Sequence, residues 1–163
     1  MSKYGLAKGL IRSKNGGTIM DTMQLVIFKL NDQEYGMDIF KVNEIVPYRK
    51  PTKIPNSPAY VEGVLNLRGN VIPVISLKKR FKLEDTGTDD GTRIIVTNSG
   101  KTVAGFVVDD ASEVLDVEKE SIEPVSEIVS SNISRKYING IGKKDDGSMY
   151  ILLNFDELYA EEI

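Results

Sequence analysis

The sequence contains an internal repeat, and this repeat limits the folds open to the chain more than any other feature. At one constant offset Gly36 recurs as Gly105, and Glu44 recurs as Glu113. The repeat continues in the same order at a longer offset for Tyr60 and Tyr137, and at one residue more for Gly69 and Gly147 and for Leu77 and Phe155. Because several blocks repeat in register, the chain is predicted to consist of two similar units.

Strand patterns dominate both units. Runs such as QLVIFKL, RIIVTN, TVAGFVV and MYILLNF are rich in β-branched and aromatic residues, and polar turn residues separate them. Short helices are predicted only after Pro58, around 77–81 and from Phe155 onward. Strands this short at this spacing favour an all-β fold of closed or nearly closed barrels, because closure removes exposed strand edges.

A polar, glycine-rich segment at 84–93, EDTGTDDGTR, has the composition of a linker between the two units. We therefore expect a flexible N-terminal tail at 1–20 and a first β-barrel subdomain at 21–83. A second β-barrel subdomain with a short C-terminal helix is expected at 94–163. Each unit alone would have a marginal core, so the two are expected to pack against each other as one domain.

Charge and composition narrow the range of functions. The formal net charge is −3 and the pI is about 5.1, which gives no basic footprint for nucleic-acid binding. The sequence has no cysteine and no histidine, which excludes thiol catalysis, disulfides and histidine acid–base chemistry. We expect no catalysis, no cofactor and no metal site, although a pair of catalytic carboxylates stays open as an alternative.

Two segments look like ligand-binding loops but lack residues that such loops require. SGKT at 99–102 ends like a phosphate-binding loop, yet Ile95 stands where that loop needs a glycine. DTGTDDG from Asp85 looks like the start of a calcium loop, yet Asp90 and Val96 replace its glycine and its last glutamate. We interpret the first segment as a hairpin turn and the second as a solvated linker.

Two charged residues lie in apolar surroundings. Glu44 shares an alternating row with Val42 and Val46, and an acid recurs at Glu113 in the second unit. Arg68 precedes Gly69 in the apolar stretch VLNLRGNVIPV, where the glycine is predicted to supply a turn with positive φ. The residues alone leave two interpretations of Arg68 open: a solvated turn residue, or an arginine that anchors a partner.

The blocks EYGMDIFKVNEIV, NSPAYVEGVLNLRGNVIPVISLKKRF, AGFVVDDASEVL and YINGIG together resemble the CheW family of bacterial chemotaxis adaptor proteins. The resemblance runs from about Gln24 to Leu158. Its most specific part is GVLNLRG at 63–69. The resemblance implies two intertwined five-stranded β-barrels of the Src-homology-3-like type around a shared hydrophobic core, with short helices and no catalytic activity.

The resemblance also implies partners and contact residues. The partners are the regulatory domain of the histidine kinase CheA and the cytoplasmic tip of chemoreceptors, and the location is cytoplasmic, with recruitment to membrane receptor arrays. The implied receptor-binding positions are Val42, Glu44, Gly63, Arg68, Gly69, Gly105 and Val114. The implied kinase-binding positions are Ile39, Phe40 and Ile45.

Two other functions stay open at the level of the sequence. A small-barrel nucleic-acid-binding protein would need a basic stripe with exposed aromatic residues, and the acidic balance argues against it. A carboxylate-dependent hydrolase would need two acids that converge in one pocket, a proximity that a sequence does not display.

Overall fold

The structure is a computed structural model that describes residues 13–14, 18–19, 21–125 and 135–162, with side chains from Asp21 to Tyr159 within those ranges. Most of the tail predicted at 1–20 lies outside the described residues. Within that segment β1 (Ser13–Lys14) and β2 (Thr18–Ile19) pair as a two-stranded antiparallel sheet.

Ten further strands and two helices follow, and they repeat the same order in each half of the chain. The first half contains β3 (Thr22–Leu30), β4 (Gln33–Asp38), β5 (Val42–Pro47), β6 (Val61–Leu67), β7 (Asn70–Ser76) and α1 (Leu77–Arg80). The second half contains β8 (Arg93–Ser99), β9 (Thr102–Val108), β10 (Asp110–Glu118), β11 (Ile138–Lys143), β12 (Met149–Leu153) and α2 (Phe155–Glu162). The predicted all-β class and the helices at 77–81 and from Phe155 are confirmed. The helix predicted after Pro58 was wrong, because a turn there leads directly into β6.

The two halves exchange strands. Sheet 1 has the order β10-β3-β4-β12-β11, and sheet 2 has the order β5-β8-β9-β7-β6. Sheet 1 takes β3 and β4 from the first half and β10, β11 and β12 from the second. Sheet 2 takes β8 and β9 from the second half and β5, β6 and β7 from the first. The inner pairs β4–β12 and β7–β9, which join the halves, are parallel. The expected subdomains at 21–83 and 94–163 thus do not coincide with the two sheets, because pairing across the linker interweaves them.

The strands nearest the centre are buried on both faces. In β3, Leu25 and Ile27 face the interior of sheet 1, and the alternate residues Val26 and Phe28 face a core shared by both sheets. In β8, Ile94 faces the interior of sheet 2 and its neighbour Ile95 faces the shared core. Three apolar clusters result, one inside each sheet and one between them, as the interwoven two-barrel arrangement requires.

Each sheet curls until its two edges meet. Beyond the end of β5, Thr52 pairs with Val64 of β6, and beyond the end of β10, Glu123 pairs with Ile141 of β11. In the described residues the edge strands are joined by these isolated bridges rather than by a continuous ladder. We call the junction between the two edges of a sheet its seam.

Candidate functional site

The β6–β7 hairpin holds the most exposed part of the candidate site. Leu67 and Asn70 pair directly, so Arg68 and Gly69 are its only two loop residues. Both have positive φ, 52° at Arg68 and 86° at Gly69, which defines a type I′ turn. The Asn66 side-chain oxygen accepts the Gly69 N–H at 3.0 Å. The predicted glycine turn is confirmed, but the same conformation at Arg68 was not expected.

Arg68 reaches across the seam of sheet 2. Its Nη1 forms an ion pair with Oε2 of Glu44, which lies on the opposite edge strand β5. A bulge between Val42 and Glu44 shifts the register of β5 there. The Glu44 side chain is 16% exposed and that of Arg68 is 69% exposed, so most of the arginine side chain, with its further N–H donors, is open to solvent.

Gly63 keeps the seam closed. Its φ is +137°, and a Cβ atom there would lie 2.0 Å from the Thr52 carbonyl oxygen. Gly140 occupies the corresponding position in sheet 1, with φ +150° and the Glu123 carbonyl oxygen 2.8 Å from its would-be Cβ. These two glycines are therefore required by the close approach of the sheet edges in both units.

Four of the implied contact residues are buried: Ile39, Val42, Gly63 and Gly105. Val42 and Ile39 are 2% and 1% exposed within the shared core, and a Cβ on Gly105 would lie 2.7 Å from Ile94 Cγ2. The side chains of Ile39 and Val42 cannot touch a partner in this conformation, because neighbouring residues cover them. The structure gives these positions packing roles: Ile39 and Val42 lie in the shared core, and Gly105 lies against Ile94 within sheet 2.

The remaining implied positions reach solvent in different places. Phe40 is 51% exposed in a 3₁₀ turn, Ile39–Lys41, where Asp38 Oδ1 accepts its N–H at 3.0 Å. Ile45 lies on β5 of sheet 2, and Val114 lies on β10 of sheet 1; both are half-buried against the shared core. The structure therefore groups Glu44, Arg68 and the two glycines at 63 and 69 at one seam, and it places Val114 in the other sheet.

A second ion cluster closes the seam of sheet 1, and the sequence argument missed it. Lys144 Nζ lies 2.8 Å from Glu113 Oε1 and 3.2 Å from Glu34 Oε2. Its hydrogen bond to Glu113 is the main cause that raises the pKa of Lys144. The repeat that pairs Gly69 with Gly147 sets Arg68 opposite Asp146, so the cation two positions before that aspartate went unnoticed. A lysine directly after a strand and before a run of turn residues was the available signal.

The two converging acids do not form an acid–base pair. Glu34 and Glu113 both accept hydrogen bonds from Lys144 Nζ, so the lysine lies between the two carboxylates as their shared counter-ion. Among the described residues no group of three or more acidic side chains could hold a metal ion. No helix in the described part of the chain is long and apolar enough to cross a membrane.

Comparisons with known proteins identify the family of this chain. The CheW-like domain family matches residues 24–162. The chain is 38% identical over 139 residues to the chemotaxis protein CheW of Klebsiella aerogenes, covering 85% of this chain and 82% of that protein. It is also 38% identical over 132 residues to CheW of Helicobacter pylori, covering 81% and 79% of the two chains.

A solved structure shows the same fold. The scaffolding protein TtCheW from Thermoanaerobacter tengcongensis superimposes with a TM-score of 0.76 at 37% identity, over 88% of this chain and 90% of that one. The family match spans the whole interwoven pair of sheets, including both seams and the Arg68 hairpin. The chain therefore belongs to the CheW-like family.

Proposed function

We propose that this protein is a chemotaxis adaptor that joins the cytoplasmic tip of chemoreceptors to the regulatory domain of the histidine kinase CheA. Two kinds of support meet here: the family membership, and a surface built for contact rather than for chemistry. The single observation that carries the proposal is the exposed Arg68, held in a strained backbone conformation over Glu44.

The strain at Arg68 argues that its side chain serves something other than folding. Left-handed backbone at a residue other than glycine, asparagine or aspartate costs about 1 kcal/mol or more. The exposed ion pair with Glu44 returns only about 0.2–1 kcal/mol. Asparagine would suit the first position of this turn better. The hairpin thus keeps an arginine at a position where folding alone favours another residue.

The receptor side of the proposal is the seam of sheet 2. A guanidinium group has five N–H donors, and Glu44 engages one of its nitrogens, Nη1 of Arg68. The outward donors can bind carboxylate or carbonyl oxygens on a partner helix, while the methylene stem packs against apolar atoms. Gly69 leaves open space beside the arginine, since no atom lies within 4 Å of its would-be Cβ.

The kinase side of the proposal is the 3₁₀ turn before β5. Phe40 projects an aromatic ring into solvent, and the cap from Asp38 together with buried Ile39 fixes the turn beneath it. Aromatic residues on a rigid support are frequent interface anchors because little entropy is lost when they bind. Ile45 adds half-buried apolar surface on the adjoining strand.

The proposed role involves no chemical step. The chain has neither histidine nor cysteine, and the acids that converge in sheet 1 are tied to Lys144. A small-barrel nucleic-acid-binding function is not favoured by the family. We propose that the protein works in the cytoplasm and reaches the membrane only through the receptors it binds.

A three-component sedimentation experiment tests this function. The chain, a purified CheA regulatory domain and a chemoreceptor cytoplasmic fragment arrayed on beads or vesicles are mixed and pelleted. The proposal expects the kinase domain to pellet with the receptor only when the chain is present. If the chain binds neither component, or if the kinase domain pellets equally well without it, the proposed function is wrong.

A further inference from the structure

The chain between β5 and β6 lies along the edge of sheet 2 and builds a defined surface. Thr52 and Val64 exchange two backbone hydrogen bonds of 2.9 Å each, and Arg49 Nη2 donates to the Asn66 carbonyl oxygen at 3.2 Å. Pro51 is buried, and Gly63 lies directly beneath Thr52. Residues 49–53 are thus fixed beside β6 and run antiparallel to it.

Four cations lie along this seam. Arg49, Lys50 and Lys53 are exposed, and Arg68 adds a fourth positive charge at the hairpin end. Among the described contacts Lys50 and Lys53 form no ion pair. The chain as a whole carries a net charge of −3, so the seam is opposite in sign to the rest of the protein.

The acids near the seam are already engaged. Glu44 is 16% exposed beneath Arg68. Glu62, which lies on β6, has its carboxylate 3.3 Å from Lys79 Nζ. The positive charge of the seam therefore faces solvent without a local counter-charge that neutralises Lys50 or Lys53.

An exposed apolar side chain, that of Ile54, lies at the end of the segment 49–53. Ile54 is 45% exposed directly after Lys53. Its carbonyl oxygen accepts a hydrogen bond of 2.8 Å from Ser57 Oγ, and Asn56 turns the chain with φ 63°. Pro55 follows it at once, so its backbone is restrained before any partner arrives. An ordered apolar residue loses little entropy when it is buried at an interface.

The seam of sheet 1 has the same backbone but a different pattern of charges, with acids and the paired cations Lys119 and Lys144. There Glu123 and Ile141 exchange hydrogen bonds of 2.9 and 2.8 Å, in place of Thr52 and Val64. The strand and 3₁₀ turn that lead into this bridge carry exposed or half-exposed Glu118 and Glu120. Since this seam forms the same backbone bridge with a different set of charged residues, closure of a seam does not require the four cations of sheet 2.

We propose that the seam of sheet 2 docks a partner helix whose contact face carries carboxylates at one-turn spacing, with an apolar contact for Ile54 at one end. The six residues of β6 and its turn from Gly63 to Arg68 span about 17 Å. That length equals about three turns of an α-helix. This inference rests on the proposed function, because it takes the receptor tip to be that helix. It adds the chemistry by which the seam would recognise the tip.

Charge reversal with a matched control tests the inference. The double variant Lys50→Glu/Lys53→Glu changes the seam, and Lys101→Glu/Lys143→Glu makes the same change of net charge at exposed positions elsewhere. Binding is measured to a chemoreceptor cytoplasmic fragment and to alanine-based helical peptides that carry either glutamates or glutamines at one-turn spacing. Circular dichroism melts confirm that both variants fold.

We expect the seam variant to bind the receptor fragment about tenfold more weakly than wild type, and the control to stay within about twofold. The glutamate peptide should bind wild type more tightly than the glutamine peptide, and added salt should remove the difference. Ile54→Ser should weaken binding at all salt concentrations.

The outcomes separate this inference from the proposed function. If wild type binds the receptor fragment and both double variants bind equally well, the inference is wrong and the adaptor function stands. If the receptor fragment does not bind but the glutamate peptide binds through the seam, the proposed adaptor function is wrong. The inference that the seam binds a helix with carboxylates then still holds. If sedimentation shows that the seam reversal changes only self-association, the seam contacts another copy and the inference is overturned.

Discussion

Arg68 and Glu44 lie on opposite edges of the same five-stranded sheet, yet their side chains form an ion pair. The pair spans the seam where the curled sheet meets itself. Lys144 and Glu113 do the same in the other sheet, with Glu34 as a second acid. The two clusters differ in exposure: the Lys144 side chain is 15% exposed, whereas that of Arg68 is 69% exposed. We therefore assign the inner cluster to the fold and the outer pair to recognition.

Replacing Arg68 by asparagine should leave the stability almost unchanged. Asparagine relieves left-handed strain of about 1 kcal/mol, and the lost exposed ion pair costs about as much or less. The melting temperature, followed by circular dichroism, should shift by no more than a few degrees. Lys101→Asn at the β8–β9 turn is the matched control, since Lys101 does not have positive φ. A large loss of stability in the Arg68 variant would show that the fold depends on this arginine.

Replacing Gly63, Gly140 or Gly69 by alanine should lower the free energy of unfolding by different amounts. Gly63→Ala places a Cβ 2.0 Å from the Thr52 carbonyl oxygen at φ +137°, so unfolding should become easier by about 3 kcal/mol or more. Gly140→Ala should behave alike. Gly69→Ala meets no neighbour and should cost only the backbone strain, about 1 kcal/mol. Urea unfolding measures all three, and equal losses at Gly63 and Gly69 would contradict the close contact.

A clash introduced at Gly142 in sheet 1 should be relieved when Tyr150 is also replaced, so that the pair matches the equivalent pair in sheet 2. Tyr150 fills the interior of sheet 1 over Gly142, where an added Cβ would lie 2.1 Å from the phenol ring. The paired residues at the matching place in sheet 2 are Leu65 and Ile72. Gly142→Leu alone should destabilise the fold by about 2 kcal/mol or more.

The double variant Gly142→Leu/Tyr150→Ile copies the pair found in sheet 2 and should recover most of that loss. A double-mutant cycle from urea unfolding should give a coupling energy above about 1 kcal/mol. Simple additivity of the two single changes would argue against the equivalence of the two interiors.

Stability should fall at alkaline pH. The hydrogen bond to Glu113 raises the pKa of Lys144, so folding favours the charged lysine; this contribution is complete below the ordinary value of 10.5 and is lost as the pH rises through the folded pKa. Burial raises the pKa of Tyr150 and Tyr35 above 10.0, so the unfolded chain ionises first and stability falls there too.

The free energy of unfolding, measured by urea titration, should be nearly flat from about pH 6 to 9 because the chain has no histidine or cysteine. Above about pH 10 it should decline, and the decline should be shallower in Lys144→Met and in Tyr150→Phe. Identical slopes in wild type and both variants would refute the assignment to these groups.

The repeat predicted the strand order of each half and the equivalence of Glu44 with Glu113. In the structure each of these two acids directly follows a bulge in the matching strand. It could not predict which half supplies each strand of a sheet, since two similar units offer the same pairing partners within and between copies. Tertiary pairing alone decides that exchange. It is visible in the parallel pairs β4–β12 and β7–β9 and in the antiparallel pairs β3–β10 and β5–β8.

The candidate site was predicted in part for similar reasons. The turn chemistry placed Gly69, but left-handed backbone at Arg68 follows from the two-residue loop length, which needs the strand register. The sequence could not show whether Val42 is buried or exposed, because an alternating pattern on an edge strand does not show which of its two rows of side chains faces the core. Lys144 was missed because its contacts join residues far apart in sequence.

The variant Arg68→Ala shows whether this seam binds the receptor while the kinase binds elsewhere. The affinities of wild type and Arg68→Ala are measured by isothermal titration for a chemoreceptor cytoplasmic fragment and for the CheA regulatory domain. The account predicts about tenfold or greater loss for the receptor fragment, with kinase affinity and melting temperature nearly unchanged. Unchanged receptor affinity, or an equal loss of affinity for both partners, would contradict it.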